Sequence, residues 1–330
     1  ISTNFDINKE TIKYASKIKY EAQIYNQLFD TEDKKIINDY VDNSYFRSFP
    51  IFAINTETPF KFKKINNNLI YTPKLKIVIT PGISNSNKIS NEDSSVNSYS
   101  IENNSNLNRY SGTDKLDNSK RLDLSFNINN DIFNGTFWTT YEFTNNSNYH
   151  YSQGNEKHLS DILGDFNLTR KNYNTSYGFR YDPHNNYMKN QNVNLLYQNR
   201  LGDYKISYLD QKSKSGDIIV SDKESLNYRF DSNKIYKFSK ISYFGLYDIK
   251  QSINTESGIS YSYFDECFGI NIDFKRNSYS EGELKPQDIM TVMFSFKNLG
   301  SYKSTNLAVS ENDKQEIEWE GNSVNNDLFY

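Results

Sequence analysis

The stretch LDLSFNIN at residues 122–129 decides the fold class, because every second residue is apolar and the residues between are polar. The same alternation recurs in YNTSYGFRYD at residues 173–182, in FGINIDFK at 268–275 and in MTVMFSFK at 290–297. A period of two over about eight to eleven residues indicates a strand with one apolar face and one polar face. The sequence therefore predicts a chain built from two-sided β-strands.

Strands of this kind are predicted along most of the chain. Short polar turns separate several of them, as at residues 129–131 and 231–233, and short connections are typical of an antiparallel meander. About fifteen segments at the spacing of all-β folds are predicted in total. They cover residues 2–13, 16–28, 44–60, 69–80, 120–130, 133–144, 159–169, 173–182, 190–199, 203–210, 224–231, 235–249, 254–263, 266–276 and 288–299.

Long polar segments interrupt this meander. The longest spans residues 82–119 and is dominated by Asn, Ser and Asp. Outer-membrane barrels have short turns at one end and long loops at the other, and here long and short connections roughly alternate. The shorter polar segments span residues 145–157, 182–190, 211–223 and 277–286.

Composition indicates β-structure and argues against two other classes of protein. Tyr and Phe number 27 and 22 of 330 residues, and these residues suit pleated surfaces with one apolar face. The mean hydropathy of −0.81 and the lack of an apolar run near the ~20 residues of a membrane helix exclude a helical membrane protein. The net charge of −3, with basic and acidic residues well mixed, gives no case for nucleic-acid binding.

A soluble β-sandwich or solenoid remains an alternative, since soluble sheets also alternate. Two features favour the transmembrane antiparallel β-barrel: the polar positions are mostly Ser, Thr, Asn and Gly, and aromatic residues recur at strand ends. Bacterial single-chain barrels have an even number of strands, whereas about fifteen, an odd number, are predicted here. We therefore expect further strands outside this chain and an incomplete barrel here. We expect residues 1–300 to form the barrel portion and residues 301–330 a polar, mobile or partner-contacting tail.

The polar positions of the predicted strands are expected to face an aqueous lumen. The candidate lumen-facing residues are Asn127, Arg180, Asn194, Arg229, Asn271, Asp273, Lys275 and Lys297.

Three groups of short motifs follow one another along most of the chain. Each is weak alone, but their order is specific. They are FPIFAI at residues 49–54 with LIYTPKL at 69–75, then NEDS at 91–94 with SNLNRYSGTDKL at 105–116, then DECFG at 265–269 with KPQD at 285–288 and the segment 294–300.

Together these motifs resemble the LptD family, the organic-solvent-tolerance proteins, although Leu107 stands where an aromatic is common and Lys115 where Arg is usual. The resemblance implies a barrel of the Gram-negative outer membrane that assembles lipopolysaccharide into the outer leaflet, with no enzymatic activity and no cofactor. It implies as partners lipopolysaccharide, a lipoprotein plug of the LptE type, outer-membrane lipid and a periplasmic LptA-type bridge, which is reached through an N-terminal jellyroll outside this chain. A passive porin or nutrient-receptor barrel is the alternative.

The resemblance also implies two residue roles. Cys267, the single cysteine, would form a disulfide with a cysteine outside this segment, whereas the residue type alone favours a small buried side chain. The segment 288–299 would be the last strand and one side of a lateral seam through which lipid leaves. Its candidate seam residues are Met290, Val292, Phe294 and Phe296.

Four residues of the long loop are predicted to order it. Arg109 can bind a carboxylate through two hydrogen bonds, with Asp93 or Asp114 as its partner, and Gly112 permits a tight turn.

Catalytic and metal chemistry is not predicted. The histidines, at positions 150, 158 and 184, are expected at the surface. His158, Ser160 and Asp161 could be part of an esterase, but no strained Gly-x-Ser-x-Gly turn accompanies them. Glu92 and Asp93 could hold calcium through oxygen ligands, but no EF-hand spacing occurs.

Overall fold

The computed structural model describes residues 2–36, 39–62, 68–82, 85–86, 89, 91–97, 99–144, 158–215, 218–233, 235, 238–278, 286–297, 299–304, 307–308 and 319–322. The predicted loop 145–157, which includes His150, lies outside the described residues, as do Lys285 and most of the segment 301–330. No helix in the described part of the chain is long and apolar enough to cross a membrane.

Antiparallel strands make up most of the described chain. A single short helix, α1 (Ile101–Asn104), is found in the same residues. The strands are β1 (Ser2–Lys13), β2 (Ser16–Ile36), β3 (Asp39–Glu57), β4 (Phe60–Lys61), β5 (Ile70–Ile79), β6 (Ser95–Val96), β7 (Tyr110–Ser111), β8 (Lys120–Asn129), β9 (Phe133–Glu142), β10 (Ile162–Arg170), β11 (Tyr173–Asp182), β12 (Tyr187–Gln198), β13 (Gly202–Ser215), β14 (Ile218–Ser232), β15 (Ser239–Asp248), β16 (Ile253–Phe264), β17 (Phe268–Asn277), β18 (Gln287–Phe296), β19 (Gly300–Ser304), β20 (Leu307–Ala308) and β21 (Trp319–Asn322).

Each of the predicted strands is present, and the additional strands are short. The predicted loop 211–223 is largely wrong, because β13 and β14 continue pairing through Lys212 and Asp222 and beyond, past a bulge at Ser213/Lys214. Backbone hydrogen bonds sustain a hairpin there although the apolar alternation has ended. Alternation therefore located the strands but underestimated the length of this hairpin.

The chain divides into two compact units. Unit 1 comprises Ile1–Asn167 with Gly178–Lys189, and unit 2 comprises Leu168–Tyr177 with Asn190–Tyr330. In unit 1, β1, β2, β3, β5, β8 and β9 pair in sequence, each antiparallel to the next. In unit 2, β12 to β19 do the same.

The register in unit 2 confirms that the strands are two-sided. Ile259 pairs with Phe274, which pairs with Met290, so apolar residues form one row across three strands. The next row is polar, with Ser260 opposite Asp273. Ile259 and Phe274 are 48% and 38% exposed, so the apolar row does not point into a closed dry core.

Strand β3 departs from strict alternation because both of its faces are apolar over FPIFAI at residues 49–54. Phe52 and Ile54 are half exposed on one face, while Phe49 and Ile51 are fully buried on the other. The buried face packs into a cluster with residues of the long loop. That cluster consists of Tyr25, Phe49, Ile51, Ala53, Val78, Leu107 and Leu116.

The segment after residue 300, expected as a polar, mobile or partner-contacting tail, contains short strands where the structure describes it. Strand β19 pairs with Met293–Phe296 of β18, β20 pairs with Ile289 and Met290, and β21 pairs with β19. These short strands satisfy backbone groups along the edge of β18, which requires no side-chain alternation. Strand β18 is therefore not the last strand of the chain.

Candidate functional site

The connection between β5 and β8, residues 80–119, is called here the inner loop, because it packs against the polar face of the unit 1 sheet. It contains the two-stranded ladder of β6 and β7 and the helix α1. Ser100 caps this helix by accepting a hydrogen bond from the Asn103 N–H. Lys76 of β5 donates from Nζ to the Ser105 carbonyl oxygen at 2.9 Å, which fastens the end of α1 to the sheet.

Asp93 organises one end of the inner loop. Its carboxylate accepts hydrogen bonds from the backbone N–H groups of Thr113 and Asp114, at 3.0 and 2.9 Å, and from the Ser94 hydroxyl at 2.7 Å. Partial burial acts to raise the pKa of Asp93, but hydrogen bonds from Ser94, Asp114 and Thr113 outweigh it and lower the pKa to about 2. In the ordered loop, the Asp93 carboxylate is therefore ionised at neutral pH.

Two further predicted loop residues complete this turn. The Asp114 carboxylate accepts from the N–H groups of Glu92 and Asp93, at 2.8 and 3.0 Å. Gly112 has a φ of +75°, and a Cβ atom there would collide with the Asp93 backbone oxygen. Asp93, Gly112 and Asp114 thus form one closed motif, in which only glycine fits at position 112.

The predicted partner of Arg109 is wrong. Arg109 donates from Nε to Asp117 Oδ2 at 2.6 Å and from Nη2 to Glu142 Oε1, and it is 1% exposed. Asp93 and Asp114 are already occupied by backbone N–H groups. The carboxylates that bind Arg109 stand at the end of the loop and on β9, where spacing within the motif gave no indication of them.

Arg121 of β8 extends this buried network. Its Nη1 donates to Asp117 Oδ2 at 3.0 Å and its Nε to Asp123 Oδ1 at 3.2 Å, while Ser119 donates to Glu142 Oε2 at 2.7 Å. Buried charges are stable only when they are paired and hydrogen-bonded. The network therefore holds the inner loop in one position on β8 and β9.

A second attachment lies on β3. Arg47, which is 3% exposed, donates to the Asp114 carbonyl oxygen at 2.8 Å and to the Thr113 carbonyl oxygen at 2.6 Å. Gln27 of β2 accepts from Arg47 Nε at 3.0 Å and donates to the same Thr113 oxygen at 3.1 Å. The turn that Asp93 organises is thereby bound to two strands through its own backbone.

A third attachment involves Arg180, a predicted lumen-facing residue. Its Nε donates to Asp161 Oδ2 at 2.6 Å, and its guanidinium lies 4.4 Å from the ring centroid of Tyr99 in the inner loop. Tyr99 also donates to the Asp161 carbonyl oxygen at 3.0 Å, and Lys189 pairs with the Asp161 carboxylate at 2.9 Å. Arg180 therefore lies on the face that the loop covers.

Most of the other lumen candidates have polar side-chain partners. In unit 2, Asn194 donates to Ser176 at 3.1 Å, Arg229 pairs with Asp231 at 2.8 Å, and Lys275 pairs with Glu256 at 3.0 Å. Asn271 donates to Asp273, which accepts from Ser260. Lys297 follows β18, and its backbone N–H donates to the Cys267 carbonyl oxygen at 3.0 Å. In unit 1, Asn127 lines a cavity. That these residues face water in a lumen stays a prediction.

That cavity, of about 510 Å3, lies in unit 1 between the inner loop and the polar face of the sheet. Its wall from the loop includes Ile101, Ser105 and Leu107, and its floor includes Lys74 and Lys76 of β5. The floor also carries amide and hydroxyl side chains from the neighbouring strands. The cavity thus combines ammonium groups with neutral hydrogen-bonding groups.

The catalytic alternative is not supported. The Ser160 hydroxyl is fully buried and donates to the Asp161 carbonyl oxygen at 2.9 Å, while the Asp161 carboxylate is occupied by Arg180 and Lys189. His158 Nδ1 lies 2.7 Å from the Glu142 carbonyl oxygen and does not contact this serine side chain in the hydrogen bonds described. Among the described residues, no group of three His, Cys, Asp or Glu side chains could hold a metal ion.

Cys267 lies in the turn between β16 and β17 and is exposed, so the interpretation as a small buried residue is wrong. The Asp265 carboxylate shapes this turn by accepting from the N–H groups of Cys267 and Phe268, at 2.9 and 2.7 Å. The same two hydrogen bonds lower the pKa of Asp265. The disulfide to a cysteine outside this chain stays a prediction.

Comparison with protein families decides the identity of the fold. Residues 2–264 match the family described as "LptD: LPS transport system D". The chain belongs to the LptD family. Its fold class is accordingly the antiparallel outer-membrane β-barrel of a lipopolysaccharide transport family. The sequence-based predictions of the family and of the fold class are both confirmed.

Other comparisons add little. No curated protein matches the sequence. A triple mutant of the Rhodopseudomonas blastica porin aligns at 7% identity and a TM-score of 0.34, covering 92% of this chain and 94% of the porin. The siderophore receptor PirA from Acinetobacter baumannii aligns at 9% identity and a TM-score of 0.38, covering 92% of this chain and 57% of the receptor. Similarities this weak carry no argument about function.

Proposed function

We propose that this chain forms the C-terminal portion of an outer-membrane barrel that assembles lipopolysaccharide into the outer leaflet. The observation that carries the proposal is the inner loop fixed over the polar face of unit 1 by fully buried ion pairs of Arg109 and Arg121. A passive pore conducts because its polar face borders open water. A polar face covered by a locked loop suits a transporter that admits one amphipathic cargo.

The two faces of the strands match the two parts of that cargo. On β8 and β9 of unit 1, Phe126 and Phe137 are 39% and 37% exposed on the apolar face, while Asp123 and Thr140 are buried on the opposite face. Apolar side chains facing hydrocarbon suit acyl chains, and a polar face suits sugars. No bond is made or broken in moving lipopolysaccharide along such a wall.

The edge of β18 suits the proposed lateral exit even though β18 is not the last strand. Its inner edge pairs with β17 over the full length from Gln287 to Phe296. Among the described residues, its outer edge pairs with β19 from Met293 to Phe296 and with β20 at Ile289 and Met290 only. Fewer backbone hydrogen bonds make this outer edge easier to open.

The partners proposed for this function are those of the family resemblance. A lipoprotein of the LptE type would plug the barrel, and an LptA-type bridge would deliver cargo through the N-terminal jellyroll. Cys267, exposed in its turn, would form a disulfide with a cysteine outside this segment. Comparison of reducing and non-reducing gels of the full-length protein tests the bond, and unchanged mobility would reject it.

Replacement in a Gram-negative host tests the proposed function. The full-length protein should restore delivery of newly made lipopolysaccharide to the cell surface, measured with an impermeant label on intact cells, after the host's own protein is depleted. Purified protein in liposomes should give slow sugar efflux. Rapid efflux together with absent lipopolysaccharide delivery would reject the proposal in favour of a passive porin.

A further inference from the structure

The cavity beneath the inner loop is lined by polar and charged side chains of the unit 1 sheet. Its floor follows from the strand register, which places polar residues of β2, β3, β5, β8 and β9 side by side in three adjacent rows. The rows are Lys19–Asn55–Lys76–Asp123, then Lys74–Ser125–Trp138, then Thr72–Asn127–Thr136.

The ammonium groups on this floor exceed the carboxylates that can neutralise them. Lys19 and Lys76 share Glu21, at 3.5 and 3.7 Å, and the side chains of Lys76 and Glu21 are only 13% and 11% exposed. Lys74 pairs with Glu57 at 3.2 Å. The Asp123 carboxylate at the end of the same row is occupied by Arg121 and Thr140. The charged residues that line the cavity are therefore three ammonium groups, Lys19, Lys74 and Lys76, and two carboxylates, Glu21 and Asp123.

A hydrogen-bond acceptor in the cavity is unused. The side-chain oxygen of Asn127 is buried and accepts no hydrogen bond from the described residues. A buried acceptor without a partner is unfavourable, and a ligand hydroxyl or amide would satisfy it. Ser125 and Thr136 present hydroxyl groups in the same cavity, and Asn55 presents an amide.

We propose that this cavity binds an anionic sugar unit. The ring hydroxyls would bond to Asn127, Ser125 and Asn55, and a phosphate or carboxylate substituent would bind Lys19, Lys74 and Lys76. The volume of about 510 Å3 lies within the range of small-ligand sites. The proposal rests on the proposed function, because the charged sugars of lipopolysaccharide are the natural source of such a ligand.

The test uses the full-length protein in nanodiscs and three synthetic trisaccharides of one sequence, bearing a phosphate, a carboxylate or no charge. Isothermal titration calorimetry should show binding of a charged trisaccharide at least about tenfold tighter than that of the uncharged one, since charge-assisted hydrogen bonds contribute on that scale. The two charged probes identify which anion is preferred. Equal affinity for all three would overturn the proposal.

Variants locate the binding in this cavity. Lys74→Gln should weaken the charged probe about tenfold, and Asn127→Asp, which keeps the shape and adds a negative charge, should abolish binding. Lys240→Gln, at an exposed lysine of β15, is the matched control and should bind as the wild type. Heat-modifiable gel migration establishes that each variant is folded. Unchanged affinity in folded Lys74→Gln and Asn127→Asp would also overturn the proposal.

Delivery of lipopolysaccharide, measured in parallel, separates the two claims. If the wild type delivers lipopolysaccharide but binds none of the trisaccharides, the cavity proposal fails and the proposed function stands. If a charged trisaccharide binds in the cavity but lipopolysaccharide is not delivered, the binding site stands and the proposed function fails.

Discussion

Units 1 and 2 are built from the same two-sided strands but differ in what lies on the polar face. In unit 1 the inner loop covers that face, and Arg109 and Arg121 are at most 1% exposed in their ion pairs. In unit 2 most ion pairs of the strands are open to solvent, as for Arg276 and Asp288, which are 59% and 26% exposed. Strand alternation therefore fixes which side chains share a face, and a covering segment decides whether that face becomes an interior.

Replacement of a buried arginine should have the largest effect on the difference between the covered polar face of unit 1 and the open polar face of unit 2. Arg109→Ala leaves Asp117 and Glu142 buried without this partner, and loss of one member of a buried ion pair costs about 3–5 kcal/mol. We expect the inner loop of the full-length protein to detach and become sensitive to protease in intact membranes.

The matched control is Arg276→Ala in unit 2. Its ion pair with Asp288 is exposed, and such pairs contribute little to stability because solvent screens them. If the inner loop were equally sensitive to protease in the two variants, the distinction between a locked and an open polar face would be contradicted.

A leucine pair tests the apolar contacts in the same way. Leu116 of the inner loop is fully buried in the cluster with Phe49 and Ile51, so Leu116→Ala should lower the free energy of unfolding by about 2–5 kcal/mol. Leu75 on the opposite face of β5 is 36% exposed, and Leu75→Ala should lower the free energy of unfolding less. Protection of the inner loop against protease, followed through a urea titration, measures the effects of both variants. A larger effect of Leu75→Ala would show that the cluster does not hold the loop.

A glycine pair tests the turn that Asp93 organises. Gly112→Ala combines a positive φ with a collision against Asp93, whereas Gly82→Ala has a φ of +84° and open space around the Cβ position. Backbone strain alone costs about 1–3 kcal/mol, so Gly112→Ala should exceed Gly82→Ala in its effect on loop protection. If the two variants behave alike, the close approach to Asp93 has no energetic importance.

Sequence reasoning found the strands because a period of two is a local signal, and it found the family because short motifs keep their order. It failed where partners are distant along the chain. Arg109 binds Glu142, 33 residues away on another strand, and no spacing within the loop motif specifies that pairing. The apolar inner face of β3 is visible in the sequence as the continuous apolar run at residues 49–54. The burial of this face could not be predicted from that run alone, because it depends on the loop that covers it.

The smallest expected effect concerns pH, and it tests the turn of unit 1 that Asp93 organises. The folded pKa of Asp93 is about 2, below the usual value of 3.8 for an aspartate, so its contribution to loop stability is complete above pH 3.8 and is lost as the pH falls through 2. Pepsin cleavage within residues 91–114 should therefore increase steeply between pH 4 and pH 2. Asp93→Asn, which cannot ionise, should be cleaved more readily at pH 4 and should show little further increase. A wild-type profile as flat as that of the variant would show that the ionised carboxylate does not stabilise the turn.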